Sequence, residues 1–349
     1  MSAPIKVYTD VLASLYPHGW NDKDGDAAKF DSEDAEYRTY KPTAANTDDG
    51  GIRLKVEQDH IRGGATDDHV TLKVYYAADG TLTRIKMSWE AGNDGYTAPD
   101  WVIDLTAYAA EAAVDGIIDV LSEGALVEID PIVAEITGKV VHAIGNACNY
   151  FSKLIVKLSD DGGRLNFIAV ANHNLNKLVY AVSTGAFVAP DVYVAFSNDR
   201  FEDAIGHHFN DKDDQAMEYE SNDSNYRTWK MDDSPCFGGA GLYVSTKIDH
   251  IRGGSKDDHA IVMMGYNAGG KPIQGQAALQ IKGEDPIITD IIQQNADFTL
   301  DLADAVSDAV KAKLKSKYGE SNSGRQNIPH VIQKNINAMN QAVYLKRRK

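Results

Sequence analysis

The sequence predicts an α+β fold built by tandem duplication, in which each copy is an antiparallel β-meander or sandwich half followed by amphipathic helices. Three observations lead to this prediction. Long motifs recur along the chain, apolar residues alternate with polar ones in the first part of each copy, and apolar residues recur three or four positions apart in the second part. The chain of 349 residues is long enough for two cores.

The internal repeat sets the predicted domain boundaries. Its motifs recur in the same order: Trp20–Asp24 as Phe209–Asp213, Tyr37–Lys41 as Tyr226–Lys230, and Asp59–His69 as Asp249–His259. We therefore divide the chain into copy one, residues 1–188, and copy two, residues 189–349. Any site in one copy is expected to have a counterpart in the other.

The first part of each copy has the pattern of paired strands. In copy one, over residues 1–92, Leu54 and Val56 alternate with polar neighbours, and the alternation returns at 70–76 and 85–89. Copy two repeats this pattern over residues 189–283. Short turns at 78–80 and 268–270 are of the kind that closes hairpins. An antiparallel meander explains both segments.

Helical spacing predicts helices in the second part of each copy, over residues 101–184 and 296–345. Copy one has an additional predicted amphipathic helix at about 131–158, where Ile132, Ile136 and Val140 share one face. Two interpretations of this extra helix are open. It packs on its own domain, or it leaves the body of the protein to enter a membrane or bind a partner.

Composition and charge exclude several classes of protein. The net charge of −16 opposes nonspecific binding to nucleic acid or anionic lipid and favours the binding of cations. The basic end, 346–349, is interpreted as a helix terminus whose cations complement the helix dipole.

The cysteines and the apolar segments bear on the compartment. Cys148 and Cys236 stand at non-equivalent positions of the repeat, so no disulfide framework is expected. The sequence has no recognisable secretion signal and no apolar run long enough to span a membrane. We therefore expect a cytoplasmic protein, with non-classical export left open.

The first candidate site is a hairpin tip, present in both copies, that is rich in carboxylates and imidazoles. Strands lead into and out of the tip, so its side chains are expected to converge within a short loop. The predicted metal ligands are Asp59, His60, Asp67, Asp68 and His69 in copy one, and Asp249, His250, Asp257, Asp258 and His259 in copy two. The predicted ligand-binding residues are Arg62, Gly63 and Gly64, and Arg252, Gly253 and Gly254.

Four interpretations of the tip are open. Carboxylates and loop carbonyls suit Ca²⁺, which takes about six to eight oxygen ligands. Two histidines and an aspartate suit Zn²⁺, the less favoured ion. The arginine and the N–H groups of the two glycines suit an anion. Alternatively, the same residues form a turn held by its own Asp and His hydrogen bonds, with no ligand.

The second candidate site is an acidic stretch that both copies keep, with Asp22 and Asp24 matched by Asp211 and Asp213. The spacing is similar to the start of an EF-hand loop, but Ala27 stands where that loop needs glycine. An EF-hand is therefore not expected. An irregular Ca²⁺ loop and a solvated acidic turn remain open.

Aromatic residues form a third repeated set: Trp20, Tyr37 and Tyr40, matched by Phe209, Tyr226 and Trp229. Aromatic rings beside carboxylates suit stacking on sugars, and aromatic rings at strand edges suit a core. Both interpretations are open.

These observations favour a binding protein over an enzyme, because the special residues are symmetric and the sequence has no nucleophile elbow, phosphate loop or dinucleotide fingerprint. We predict a non-enzymatic, lectin-like protein whose two tips bind a cation, with Ca²⁺ favoured, and with it a carbohydrate or a membrane headgroup. Nucleic acid is not an expected partner. The alternatives are a membrane-active or toxin-like protein that uses the extra helix, a structural protein that self-assembles into homo-oligomers, and a hydrolase that uses the Asp and His residues of the tips.

Overall fold

The computed structural model describes twelve stretches of the chain and some isolated positions. The stretches are 19–31, 36–61, 68–78, 82–92, 96–104, 192–220, 225–236, 241–252, 258–281, 284–294, 299–319 and 325–347. The isolated positions are 15 and 165 and six positions between 169 and 177, and these six are helical. The predicted extra helix at 131–158 lies outside the described residues, as does most of the predicted helical segment 101–184.

The chain divides into two compact units. The first comprises Met1–Asp191 and Pro235–Gly239, and the second comprises Val192–Ser234 and Ala240–Lys349. The predicted boundary between 188 and 189 stays a prediction.

The first unit contains one antiparallel sheet, which follows a 3-10 turn at Lys23–Gly25. In space the strands run in the order β1-β2-β4-β5-β6-β7, and the short strand β3 pairs with β4. The strands are β1 (Ala27–Asp31), β2 (Glu36–Tyr40), β3 (Thr43–Asn46), β4 (Ile52–Asp59), β5 (Asp68–Tyr76), β6 (Leu82–Ala91) and β7 (Tyr96–Asp104).

Burial alternates along β5 and along most of β4 and β6, so that one face is core and the other is partly solvated. Leu54, Val56, Leu72, Ile85 and Trp89 are all fully or almost fully buried. Each apolar side chain of this kind contributes about 1.5–3 kcal/mol on burial. We call this the core face of the sheet, and the opposite face its second face.

The described residues between 192 and 347 form a corresponding sheet, a two-stranded sheet and three helices. The strands are β8 (Val192–Phe196), β9 (Ala216–Glu220), β10 (Asn225–Trp229), β11 (Asp232–Cys236), β12 (Gly241–Asp249), β13 (His259–Tyr266), β14 (Pro272–Gln280), β15 (Ile287–Ile288), β16 (Ile292–Gln293) and β17 (Val343–Arg347). The helices are α1 (Asn198–Ile205), α2 (Leu302–Tyr318) and α3 (Asn327–Ala342).

Helices α2 and α3 share a hydrophobic core with the second sheet. Val244, Val262 and Leu279 of the sheet belong to the same buried cluster as Val306 of α2 and Ile332 of α3. Two buried hydrogen bonds connect α3 to the sheet and to α2. The Thr228 hydroxyl donates to Asn335 Oδ1 at 3.1 Å, and the Ser307 hydroxyl donates to the Pro329 carbonyl at 3.0 Å.

The helix ends in this unit follow ordinary capping chemistry. The Asp301 carboxylate accepts from the N–H groups of Ala303 and Asp304 at 2.9 and 3.2 Å, and this starts α2. Ser197 caps α1 in the same way, and Gly206, with φ of +83°, ends that helix in the left-handed conformation that glycine adopts at low cost.

The two larger sheets have the same strand order. The second runs β9-β10-β12-β13-β14-β15, with the short strand β11 on β12, which matches β1-β2-β4-β5-β6-β7 with β3 on β4. The registers agree as well: Arg38 pairs with Asp59 as Arg227 pairs with Asp249, and Asp59 pairs with His69 as Asp249 pairs with His259. A tandem duplication produces this kind of agreement.

The predicted fold class, α+β with amphipathic helices making up the second part of each copy, is wrong. The described chain is a β-rich fold of several antiparallel sheets with few helices. Residues 101–104, predicted to begin a helical part, instead end β7 and pair with β6. Helix α1 lies in a part of copy two that was predicted to be β-rich.

The C-terminal segment shows the physical reason most clearly. The sequence predicts that residues 343–345 belong to a helix and that Lys346 and Arg347 lie at its end. In the structure all five residues form β17, which pairs antiparallel with β8. The partner strand lies about as far away in sequence as copy two is long, so no local pattern could reveal the pairing.

Among the described residues, no helix combines the length and the apolar character required to cross a membrane.

Candidate functional site

The register of the sheets places an arginine, an aspartate and a histidine side by side on the second face of each sheet. In the first unit Arg38, Asp59 and His69 are direct cross-strand neighbours on β2, β4 and β5. Residues directly opposite one another have Cβ atoms about 4.5–5.5 Å apart. We call this arrangement the Arg–Asp–His row. In the second unit it consists of Arg227, Asp249 and His259.

The arginine of each row connects the hairpin tip to the acidic turn. Arg38 Nε donates to Asp22 Oδ2 and also interacts electrostatically with Asp59. Arg227 does the same between Asp211 and Asp249. Asp22 of the acidic turn and the tip residue Asp59 therefore belong to one site in the first unit, as Asp211 and Asp249 do in the second.

These contacts set the ionisation of the acidic turn. The hydrogen bond from Arg38 lowers the pKa of Asp22, and the hydrogen bond from Arg227 lowers the pKa of Asp211. Arg38 lies between the carboxylates of Asp22 and Asp59, and Arg227 contacts Glu218 as well as Asp211 and Asp249. Lysines add positive charge beside each acidic turn, Lys23 in the first unit and Lys212 in the second.

An aromatic side chain completes each row. The Tyr40 hydroxyl donates to Asp59 Oδ2 at 3.0 Å, and the Trp229 indole N–H donates to Asp249 Oδ2 at 3.3 Å. Burial and this hydrogen bond raise the pKa of Tyr40 to about 12, so its hydroxyl is a donor at neutral pH. Both rings are partly exposed.

The other oxygen of each aspartate is left without a partner. Asp59 and Asp249 are each only 7% exposed, and the Oδ1 atom of each is buried and accepts no hydrogen bond from the described part of the chain. Leaving a buried polar atom unsatisfied costs about 1–3 kcal/mol, and more for a charged group. The same deficit occurs at the equivalent position of both units, which makes these two oxygens the candidate ligand-binding atoms.

The residue after each aspartate has an uncommon backbone conformation. His60 and His250 both have φ of +52°, in the left-handed region that side chains other than glycine rarely adopt. In the first unit the His60 N–H donates to the Asp68 carbonyl at 2.9 Å and closes the base of the hairpin. The strained residue of each unit, His60 or His250, therefore lies where the chain leaves the Arg–Asp–His row.

Two predicted tip residues of copy two bind one another. Arg252 donates from Nε and Nη2 to the two carboxylate oxygens of Asp258, which is 1% exposed. This bidentate pair stabilises the tip from within, and it leaves Asp249 as the described tip carboxylate with an unused oxygen in that unit. In copy one Asp68 is fully buried.

The remaining predicted tip residues lie outside the described residues: Arg62, Gly63, Gly64, Asp67, Gly253, Gly254 and Asp257.

The acidic stretch is a tight turn in both units. Asp22 and Ala27 exchange two backbone hydrogen bonds of 3.0 Å, and so do Asp211 and Ala216. Asp24 and Asp213 lie at the exposed apex in left-handed conformation. They are not brought together with Asp59 or Asp249 by any described hydrogen bond or ion pair.

No group of three or more His, Cys, Asp or Glu side chains among the described residues is arranged to hold a metal ion. A metal ion bound to the row would therefore take further ligands from the tip backbone or from water.

The sequence did not identify the arginine of each row as a site residue. Arg38 and Arg227 stand at the same place in a repeated motif, Tyr-Arg-Thr followed by an aromatic residue and Lys. That repetition was a signal, but only the strand register shows that the arginine lies beside the tip aspartate.

No known protein family and no curated protein matches this sequence.

Proposed function

We propose that this protein is a non-enzymatic binding protein with two equivalent sites, one at Asp59 and one at Asp249, each of which binds a small cation. One observation carries the proposal: in each unit the same carboxylate has one oxygen bonded to an aromatic donor and one buried oxygen that accepts no hydrogen bond from a described residue. A cation at the second oxygen would satisfy it.

Ca²⁺ is the ion that this chemistry suits best. It is a hard ion with oxygen ligands and flexible geometry, and it needs about six to eight of them. The aspartate supplies one or two oxygens, and carbonyl groups of the tip and water would supply the rest. The positively charged Arg38 or Arg227 sits beside the same carboxylate, which favours a weak site over a tight one.

A sugar or a headgroup would extend the same site. A hydroxyl group could donate to the unpaired oxygen, and the partly exposed ring of Tyr40 or Trp229 lies on the same carboxylate. In the second unit the Lys247 ammonium lies 5.3 Å from the centre of the Trp229 ring, so that ring is already shared with a cation.

Calorimetric titration with Ca²⁺ tests the proposal. The intact protein is expected to bind two equivalents, Asp59→Asn or Asp249→Asn alone one equivalent, and the double variant none. Ca²⁺ at about 100 times its dissociation constant should stabilise each unit by about 2.7 kcal/mol, which a thermal shift would detect.

The matched control is the double variant Asp24→Asn and Asp213→Asn, which removes the same charge from the exposed turns and should still bind two equivalents. If millimolar Ca²⁺ produces neither heat nor a thermal shift, or if the control rather than the Asp59 and Asp249 variants loses binding, the cation proposal fails. Titration of the same set with simple sugars tests the extension.

We further propose a cytoplasmic location. The support is that Cys148 and Cys236 stand at non-equivalent positions of the repeat. A disulfide framework would have been duplicated together with the domain, so free thiols in a reducing compartment fit these positions better.

A further inference from the structure

We infer that the second face of the first sheet is a docking surface for the anionic headgroups of a phospholipid membrane. The inference is independent of the proposed cation sites, because it rests on residues at the other end of the same strands.

The register places lysines directly opposite one another on three neighbouring strands. Lys55 of β4 pairs with Lys73 of β5, which pairs with Lys86 of β6. In the next row Tyr75 lies between Arg53 and Arg84. We call the five cations Arg53, Lys55, Lys73, Arg84 and Lys86 the basic face.

This concentration of positive charge has a cost within the folded protein. Like charges opposite one another destabilise a sheet, and the chain as a whole carries a net charge of −16. Acidic residues offset part of the basic face: Glu57 accepts from Lys55 at 2.6 Å, and Arg84 interacts electrostatically with Asp49. Lys86 also takes part in an interaction within the protein. Lys73, the central lysine, makes no ion pair with any described residue. An external anion would relieve the repulsion.

The shape and composition of the basic face suit a bilayer. Neighbouring strands are about 4.8 Å apart, so the lysine row presents its three cations in one line across the sheet. The row continues onto β7 at Val102, whose side chain is 48% exposed and lies opposite Lys86. Cations with an exposed apolar residue beside them match a surface of phosphates above hydrocarbon.

Nucleic acid fits this surface less well. Single strands bind to sheets through exposed aromatic rings that stack on bases. Tyr75 is the aromatic residue between the two arginines, and the Arg84 guanidinium already lies 5.4 Å from the centre of its ring.

The net negative charge does not prevent local binding to an anionic membrane. The Debye length is about 8 Å at physiological ionic strength, so acidic groups elsewhere on the protein are screened from a surface that touches the basic face.

The second unit has no such surface. The residues at the positions equivalent to the lysine row are Ser245, Met263 and Gln276, and those equivalent to the next row are Tyr243, Gly265 and Gln274. Each chain would therefore dock through one sheet face.

Co-sedimentation with vesicles tests the inference. The intact protein is expected to bind vesicles of phosphatidylcholine with about one third phosphatidylserine, not pure phosphatidylcholine vesicles, and to dissociate as salt is raised. The triple variant Lys55→Gln, Lys73→Gln and Lys86→Gln should lose about 100-fold in partition coefficient, since each cation is worth roughly a factor of five at such a surface.

The matched control replaces Lys311, Lys313 and Lys315, all exposed on α2, with glutamine, and so changes the net charge equally. This variant should bind as the intact protein does, and circular dichroism confirms that both variants are folded. The inference is overturned if the intact protein does not bind the anionic vesicles, if it binds neutral vesicles equally, if the two triple variants lose binding equally, or if the basic-face variant binds normally. Binding of a single-stranded oligonucleotide in place of vesicles would also overturn it.

Discussion

The two larger sheets of this protein share strand order and register but differ in what covers their second faces. In the first sheet burial alternates along β5 from residue to residue, and Lys73 is partly exposed. In the second sheet β13 is buried on both faces, and Met263, at the position of Lys73, is 2% exposed.

The residues that are similar in the two units are those that form the sheet itself, and the residues that differ are those that contact what surrounds it. The core face and the Arg–Asp–His row are similar in both units, because strand pairing and the tip depend on them. The second face has changed from cations to Ser, Met, Gly and Gln, because that face is solvated in one unit and buried in the other. One strand order therefore serves two environments.

Exchanging the residues at the central position of the second face, Lys73 and Met263, should give the largest difference in stability between the two units. Met263→Lys puts a charge in a buried position with no acidic partner opposite it, and should destabilise the second unit by about 3–5 kcal/mol. Lys73→Met changes a partly exposed side chain and should alter the stability of the first unit by no more than about 0.5 kcal/mol. Denaturant unfolding, with hydrogen exchange followed separately over each sheet, measures both. Equal effects of the two substitutions would show that the two second faces are not different environments.

Removal of a buried hydroxyl should have a smaller effect, and of opposite sign in the two units. Tyr266 and Tyr76 occupy equivalent positions, and burial raises the pKa of both hydroxyls. The Tyr266 hydroxyl donates to Asn340 Oδ1 at 3.0 Å, whereas the Tyr76 hydroxyl has no hydrogen-bond partner among the residues that the structure describes.

Tyr266→Phe should therefore destabilise the second unit by about 1–2 kcal/mol, and Tyr76→Phe should be neutral or stabilise the first by up to about 1 kcal/mol. The midpoint of urea unfolding gives both values. A loss of stability in Tyr76→Phe as large as that in Tyr266→Phe would mean that the two hydroxyls are satisfied alike.

The smallest effect concerns a feature that the two units share. Because the arginine lowers the pKa of Asp22 and of Asp211 in the folded state, each ion pair stabilises the protein fully above the unfolded value of about 3.9, and this contribution is lost as the pH falls through the folded pKa. Asp22→Asn and Asp211→Asn should each lower stability at neutral pH and make it depend less on pH in the acid range, to the same extent. Urea midpoints measured from neutral pH downward test this. A pH dependence that changes in only one variant would show that the shared row is not equivalent in the two units.

The sequence was a good guide wherever the signal was local. Alternation of apolar residues located β4, β5 and β6, and the repeated motifs pointed to Asp59 and Asp249. It failed where an element depends on a distant partner: β17 looks like the end of a helix until β8 is found beside it, and residues 101–104 look like the start of one until β6 is found.

The candidate site divides in the same way. The acidic turn, the aromatic residue and the tip aspartate each appear in the sequence as repeated motifs, but they are separated by about twenty residues at each step. Arg38 joins them because β2 lies against β4, and no spacing along the chain contains that information.

The amino-acid sequence by itself determined the internal repeat, because the two copies of each motif can be matched directly. It also determined the positions of the central strands and the kinds of side chain at the tips, because these follow from residues that are close together along the chain. Tertiary structure alone decided that Arg, Asp and His stand in one row, that three lysines face one another across β4, β5 and β6, and that the equivalent face of the second sheet is buried. Register and burial arise from the pairing of strands that are remote in sequence, so they are properties of the folded chain.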